Sequence, residues 1–267
     1  MKYSSDELKS MKPKEFRSLV RKGAWTDVSL EVCQGFSQAN MVILPREYAF
    51  EFLLFCNRNP QPCPVLDVTE PGEVHPKSIA PDADIRTDLP GYRVYEKGEI
   101  IDEPTDIVKY WKDDLVGFML GCSRSFVWAM RAANLSWREY GPYPTTIPCK
   151  SAGRFHGHMV VTPRAFFDAK SAVRAVQISS RHIYMHGAPV FIGAPGEIGI
   201  ENLGQYDAFF PRRPVKEPPK PGETLLYWGC GITPQIAAME SKIPFMITHK
   251  PAHMFVSDLM SEELAIL

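Results

Sequence analysis

An α/β fold is predicted by three features of the chain. Residues 223–231, ETLLYWGCG, form an apolar strand that passes through a Gly-Cys-Gly turn into the helical run ITPQIAAMES. A similar break at Gly121-Cys122-Ser123 separates the apolar run DDLVGFMLG from the helical SFVWAMRAAN. Elsewhere, short apolar runs and helical runs alternate, as in MVILP followed by EYAFEFLLFCNRN, and that alternation is the pattern of an α/β protein. A strand-to-helix junction aims backbone N–H groups and the positive end of the helix dipole at one point, where a carboxylate or phosphate binds. Thr233 reads as an N-cap and Pro234 as the first helical residue of the second junction. Two such turns point to a small anionic ligand, although each also reads as an ordinary tight turn.

Along the chain, Ser5 or Asp6 caps an N-terminal helix that holds Phe16, Leu19 and Val20 at helical spacing until Gly23. MVILP (41–45) is a short buried strand. EYAFEFLLFCNRN is apolar on most faces and is therefore expected to be deeply packed, with prolines 60, 62 and 64 stopping it. PVLDV is a strand, and YRVYEKGEII a hairpin turning at Lys97-Gly98. Residues 104–135 read as mostly helical. Beyond Pro142, Pro144 and Pro148 the order is strand (TTIPC), strand (HMVVT), helix (RAFFDAKSAVRAVQISS) and strand (APVFIG). FFPRRPVKEPPKPGE then places five prolines between Pro211 and Pro221, a composition suited to an extended linker or rim. Proline punctuation at both ends predicts that 141–221 is a subdomain inserted in a larger α/β unit made of 1–140 and 222–267.

The chain has 267 residues, enough for a substantial core, and its 30 basic and 31 acidic residues nearly balance. Without clustered Lys and Arg, neither nucleic acid nor an anionic membrane is an expected partner. The charged start, MKYSSDELKSMKPKEF, lacks the apolar core of a signal peptide, and no run reaches the length of a membrane span, so a cytoplasmic protein is expected. A homodimer is compatible with such a chain. The six cysteines show no CxxC spacing and read as reduced thiols. His156 with His158, and His182 with His186, have metal-like spacing, but no neighbouring ligand completes a set, and no metal is expected.

Four stretches concentrate polar residues in apolar surroundings. DADIRTDLPGYR sets Arg86 between Asp84 and Asp88, which reads either as a self-satisfied surface cluster or as a fork for a substrate carboxylate. AGRFHGHMVV places Arg154 and His156 at a strand entry, SSRHIYMHGAPV places His186 before a glycine and a strand, and MITHKPAHMF places His249 and His253 around a proline turn. In open α/β sheets the loops at strand ends bind ligands. Cys122, Cys149 and Cys230 stand where a thiolate would be stabilised, or are small buried apolar residues. There is no GxSxG elbow, no GxGxxG and no P-loop.

The blocks QANMVILPREYAFEFLLFCNRNPQPCPVLDVTEPG, DIRTDLPGYRVY, GCSRSF, TIPCKSAGRFHGHMVV, HGAPVFIG, YWGCGITPQ and ITHKPAHMFVSD resemble, in order, the motifs of the D-glutamate cyclase-like family of hydro-lyases. The resemblance implies a three-layer α/β unit with a two-layer α/β subdomain, and an activity that turns D-glutamate into 5-oxo-D-proline with loss of water. Five positions depart from the family pattern: Arg124 and Val127 stand where GCSFSFE has Phe and Glu, Thr146 where TNIPC has Asn, and Phe191 and Ala194 where HGAPVHIGDP has His and Asp. If these line the pocket, they imply a substrate other than D-glutamate. Lactam closure needs an unprotonated amine, an electrophilic carboxyl and near-attack orientation of the two. The carboxylate anchors expected are Arg86 and Arg154, with Arg124 as a further contact. Oxyanion donors are expected at Cys122-Ser123 and Gly229 to Gly231. Proton transfer is expected at His186, with His249 or Asp88 beside it. No cofactor is required. The expected function is a cofactor-independent lyase or cyclase acting on an amino acid or small carboxylate; the alternatives are a specialised biosynthetic lyase and a non-catalytic anion-binding homologue.

Overall fold

The computed structural model describes residues 3–204 and 217–266. The proline-rich stretch therefore lies largely outside the described residues. The N-terminal helix is split in two, α1 (Ser5–Ser10) and α2 (Pro13–Arg21). Ser4, rather than Ser5 or Asp6, caps α1 through a capping box with Glu7. The split falls where Pro13 biases Lys12 toward extended backbone, and Lys12 indeed has φ −83° and ψ 147°.

Two antiparallel sheets follow. The first has seven strands: β1 (Phe36–Pro45), β2 (Val65–Val68), β3 (Tyr92–Glu96), β4 (Glu99–Asp102), β5 (Leu115–Gly121), β11 (Phe245–His249) and β12 (Phe255–Met260). Their order is β2-β5-β1-β11-β3-β4, with β12 also paired to β1. The second sheet is built from β6 (Trp137–Glu139), β7 (Tyr143–Pro148), β8 (His158–Phe166), β9 (Phe191–Ile192) and β10 (Thr224–Gly229), in the order β6-β8-β10-β9 with β7 beside β8. The strands of this sheet run from 137 to 229, so it draws in β6 and β10 from outside the expected 141–221 segment.

Residues 104–135 hold the largest secondary-structure correction. β5 is a strand in the interior of the first sheet, buried throughout and paired with β1 from Ala39↔Gly121 to Pro45↔Leu115. Both of its faces are covered, so its sequence shows an unbroken apolar run instead of alternation, and such a run does not separate strand from helix. The helix of this region is α4 (Arg124–Ala132). Likewise α5 spans only Ala169–Ser180, because the residues before Phe167 extend β8. The hairpin at Lys97-Gly98 forms with φ values of 50° and 87°, the left-handed pair that a two-residue hairpin loop demands.

Alternation along β1 assigns the two faces of the first sheet. Val42 and Leu44 join Phe52, Phe55, Phe118, Val161 and Tyr227 in a core shared by both sheets and α3 (Arg46–Arg58). Met41 and Ile43 face the opposite side, under Ile79, Ile85 and Leu89 from the connection between β2 and β3. α3 buries only one stripe and leaves Phe50 74 % exposed, so it is a surface helix and not a deeply packed one. The outer face of the second sheet, with Phe166, Leu226 and Trp228, packs on α4 and α5. α6 (Thr233–Glu240) follows β10.

Candidate functional site

β5 and β10 each end in a glycine turn that starts a helix, and both turns open onto one cavity. Cys122, Ser123 and Arg124 line it from the first turn, and Cys230, Gly231 and Ile232 from the second. Asn40 of β1, Glu139 of β6, Thr162 of β8, His186 and His249 complete its polar wall. The water-accessible space is about 80 Å³, which suits a small metabolite. Larger grooves between α1 and α4 and beside α5 are open surface hollows without comparable buried polar groups.

The two turns are brought together by close packing. Gly121 passes against the Tyr184 carbonyl of the 3-10 turn Ile183–Met185, where any Cβ would collide with backbone. Gly231 lies against the side-chain amide of Asn40, and that amide donates to the Gly121 carbonyl at 2.8 Å. Thr233 does not cap α6. Its Oγ1 accepts from the Val160 amide at 3.0 Å, and Ile232 occupies the N-cap. Ser123 holds the N-cap of α4 without a side-chain capping bond. Its Oγ instead accepts from Arg164 Nη2 at 3.2 Å.

His186 and His249 are both buried, and burial holds each imidazole pKa down to about 4, so both rings are neutral near pH 7. Their partners specify opposite tautomers. His186 Nδ1 lies 2.5 Å from the Gln61 carbonyl and must carry the proton, which leaves Nε2 as the lone-pair nitrogen. His249 Nδ1 receives the Met41 amide at 3.1 Å and faces Gln235 Nε2 at 3.3 Å, with the Met41 carbonyl farther away at 3.4 Å. Nδ1 is therefore the acceptor and Nε2 bears the proton. His186 also sits at φ +79°, left-handed backbone that a residue with a side chain seldom adopts.

The predicted site residues divide cleanly. Cys122, Ser123, Arg124, His186, Gly231 and His249 line the cavity; Arg86, Asp88, Arg154 and Gly229 do not. Arg86 forks onto Asp84, its neighbour two residues away, through Nε and Nη2 at 3.0 and 2.7 Å. Arg154 pairs with Glu51 and stacks over Tyr48. Asp88 is fully buried beneath Arg21 and also accepts from the Asp84 amide. Gly229 serves the site from behind: the Gln61–Pro62 backbone packs against it, so Gln61 can reach His186. Cys122 and Cys149 carry no thiolate signature, since burial pushes the Cys122 thiol up and raises Cys149 to about 11. Of the histidine pairs, His156 and His158 are exposed, His182 packs on Phe126, and only His186 reaches the cavity. Among the described residues no three His, Cys, Asp or Glu side chains gather as a metal set.

Of the five departures from the family motifs, Arg124 alone lines the cavity. Val127 is buried with Phe126 and Met130 in the α4 core, Phe191 packs on Tyr227, and Ala194 precedes a 3-10 turn. Glu139, Asn40 and Arg164 are the site residues that the sequence does not single out. Glu139 Oε2 accepts from Arg124 Nη1 at 3.1 Å, and its Oε1 lies 3.5 Å from Arg164 Nη2.

Fold and site together define a mixed α/β protein with a small cavity lined by elements of both antiparallel sheets. A family model described as D-glutamate cyclase matches residues 116–258. A protein of Geobacillus kaustophilus named "Putative hydro-lyase" is 49% identical over 96% of this chain and 98% of its own length. Its namesake YcsI of Bacillus subtilis is 46% identical over 96% and 100%, and one from Stutzerimonas stutzeri 43% over 97% and 98%. The chain belongs to the D-glutamate cyclase family. Among solved structures, a nitrogen repressor-like protein from Methanococcus jannaschii aligns over 89% of this chain and 94% of its own, at 8% identity and a TM-score of 0.40. Among the described residues no helix is long and apolar enough to cross a membrane.

Proposed function

We propose that this protein is a cofactor-independent hydro-lyase or cyclase that removes water from an amino acid or small carboxylate held in the cavity between the sheets. The observation that carries the reading is the pair of neutral, buried imidazoles of opposite tautomer on one cavity. Neither Nε2 has a partner among the described residues. His186 Nε2 can accept a proton and His249 Nε2–H can donate one, the two roles that dehydration needs. In lactam closure the amine nitrogen forms a bond to the carboxyl carbon, and the amine proton passes to His186. The carboxyl enters protonated, so its carbon–oxygen bond breaks with hydroxide leaving and taking the His249 Nε2 proton, which gives lactam and water, and the proton held by His186 returns to His249 through the cavity to restore both neutral rings. A neutral imidazole donor is a known electrophilic device, and a bound carboxylate raises both ring pKa values toward the working range.

Glu139 supplies the carboxylate that an ammonium group would seek, while Arg124 and the two turns supply donors for a carboxylate. The expectation of a substrate other than D-glutamate now rests on Arg124 alone. Purified protein should therefore be assayed with D-glutamate and with a panel of other amino acids, scoring 5-oxoproline and the mass loss of one water. His186→Asn is the matching control, because Asn tolerates left-handed backbone. It is expected to lower turnover about 100-fold or more while binding persists. Turnover unaffected by this change, or abolished in wild-type protein by metal chelation, would overturn the proposal.

A further inference from the structure

Arg164 is a fully buried charge: its relative exposure is 0 %, and burial pushes its pKa down. It lies on β8 two residues from Thr162, on the same face of the strand, and Thr162 lines the cavity. Its guanidinium lies over the neighbouring rings of Phe126 and Trp228, with centroids at 5.4 and 4.9 Å. Nη2 reaches Ser123 Oγ and Glu139, whereas Nε and Nη1 have no partner among the described residues. A guanidinium kept dry in this way is costly and is expected to serve a purpose.

Two further facts indicate that purpose. Ser123 occupies the N-cap of α4, yet its hydroxyl caps nothing; the usual bond to the first-turn amides is forgone. Because Arg164 can only donate, Ser123 Oγ must accept, and its own proton is left to a partner in the cavity. The second fact is charge. Among the described residues, ion pairs run from Arg131 through Glu31, Arg124 and Glu139 to Arg164 and set three guanidiniums against two carboxylates. An anionic ligand would balance that chain.

We propose that Arg164 is a positioning residue that turns the Ser123 hydroxyl into a donor for the carboxylate of the cavity's ligand, a role that rests on reading this cavity as the reaction site. The ligand class is a small mono- or dicarboxylate. Arg164 touches Ser123 and not the ligand, so its effect should reach the ligand only through that hydroxyl.

A double-mutant cycle on full-length protein tests this. Binding of acetate, glutarate, D-glutamate and 5-oxo-D-proline would be measured by calorimetry for wild type, Ser123→Ala, Arg164→Met and the double variant, with Arg164→Lys as the milder change if Arg164→Met does not fold. We expect each single change to weaken the bound carboxylates about 10-fold, and the double change to be no worse than either single. Ser123→Thr, which keeps the hydroxyl, should restore binding. A purely structural Arg164 would lower the melting temperature but leave the dissociation constants alone, or give effects that multiply with those of Ser123→Ala. Either result overturns the proposal, as does failure of all four carboxylates to bind wild-type protein. Binding that depends on both residues without any loss of water would instead sink the proposed lyase reaction and leave this role intact. Turnover with unchanged carboxylate affinity in the Arg164 variants would do the reverse.

Discussion

The side-chain amide of Asn40 fills the space that a Cβ at position 231 would take, so Asn40 and Gly231 are in contact at the point where the two sheets meet the cavity. The same amide donates to the Gly121 carbonyl. One strand residue thus holds both glycine turns in register. Gly231→Ala would push this amide away and break that bond. Overpacking of this kind costs about 1–3 kcal/mol, and we expect a folded protein with that loss in urea denaturation and at least about 10-fold weaker ligand binding. Gly121→Ala should be worse, because its added methyl meets the Tyr184 backbone instead of a movable side chain. A Gly231→Ala protein with wild-type stability and affinity would show that the Asn40 contact is dispensable.

Acid should destabilise the protein through His186 and His249. Both have pKa values lowered from 6.5 to about 4 by burial. Above pH 6.5 the rings are neutral whether folded or unfolded, and their contribution is complete. As pH falls from 6.5 toward 4, the unfolded chain takes up protons that the folded rings refuse, so stability falls, by about 3 kcal/mol per histidine. Below about 4 their slope vanishes. Urea unfolding at a series of pH values should show this loss, and His186→Asn should remove about half of it. A slope the same in the variant as in wild type would place the proton uptake elsewhere.

Arg86 and Arg154 are expected to be bystanders. Each already has its carboxylate, Asp84 or Glu51, at a partly exposed position, and neither lines the cavity. Arg86→Gln and Arg154→Gln should leave turnover within about twofold, since exposed pairs contribute about 0–1 kcal/mol. Asp88→Asn should act on stability instead. Its buried carboxylate accepts from the half-exposed Arg21 and from the Asp84 amide, and leaving such buried hydrogen bonds unmade costs about 1–3 kcal/mol. A marked loss of turnover in any of the three, at unchanged stability, would return that residue to the chemistry.

The contrast between these residues shows what the sequence makes legible. The turns at Gly121-Cys122-Ser123 and Gly229-Cys230-Gly231 can be read because glycine before a helix is local chemistry. His186 and His249 can be read because each neighbours a turn residue at a strand boundary. Asn40, Glu139 and Arg164 cannot, because each lies in a strand where a polar residue reads as a solvent face. Arg154 misleads for the converse reason. Its partner Glu51 is 103 residues away in the chain, so nothing nearby signals that the guanidinium is already satisfied. The strand β5 escapes recognition because burial on both faces erases its alternation.

Arg124 is the one motif departure at the cavity, and its removal should reveal what the ligand carries. It pairs with Glu139 and lies 4.0 Å from Glu31. Arg124→Gln would remove the guanidinium that lines the cavity and leave the Glu139 carboxylate in place, so any carboxylate ligand should bind more weakly. At this partly buried position a unit charge about 6 Å away contributes on the order of 1 kcal/mol after screening, which is about fivefold in affinity. The change also frees Glu139 from its nearer cation and makes it more available to an ammonium group. A ligand with both groups should then lose less than its deaminated analogue. The comparison is D-glutamate against glutarate, measured by calorimetry in a His186→Asn background where turnover is suppressed. We expect Arg124→Gln to weaken glutarate about fivefold or more and D-glutamate by clearly less. Equal losses for the two would mean that Glu139 does not receive the ammonium, and tighter glutarate binding would mean that Arg124 is not part of the carboxylate site.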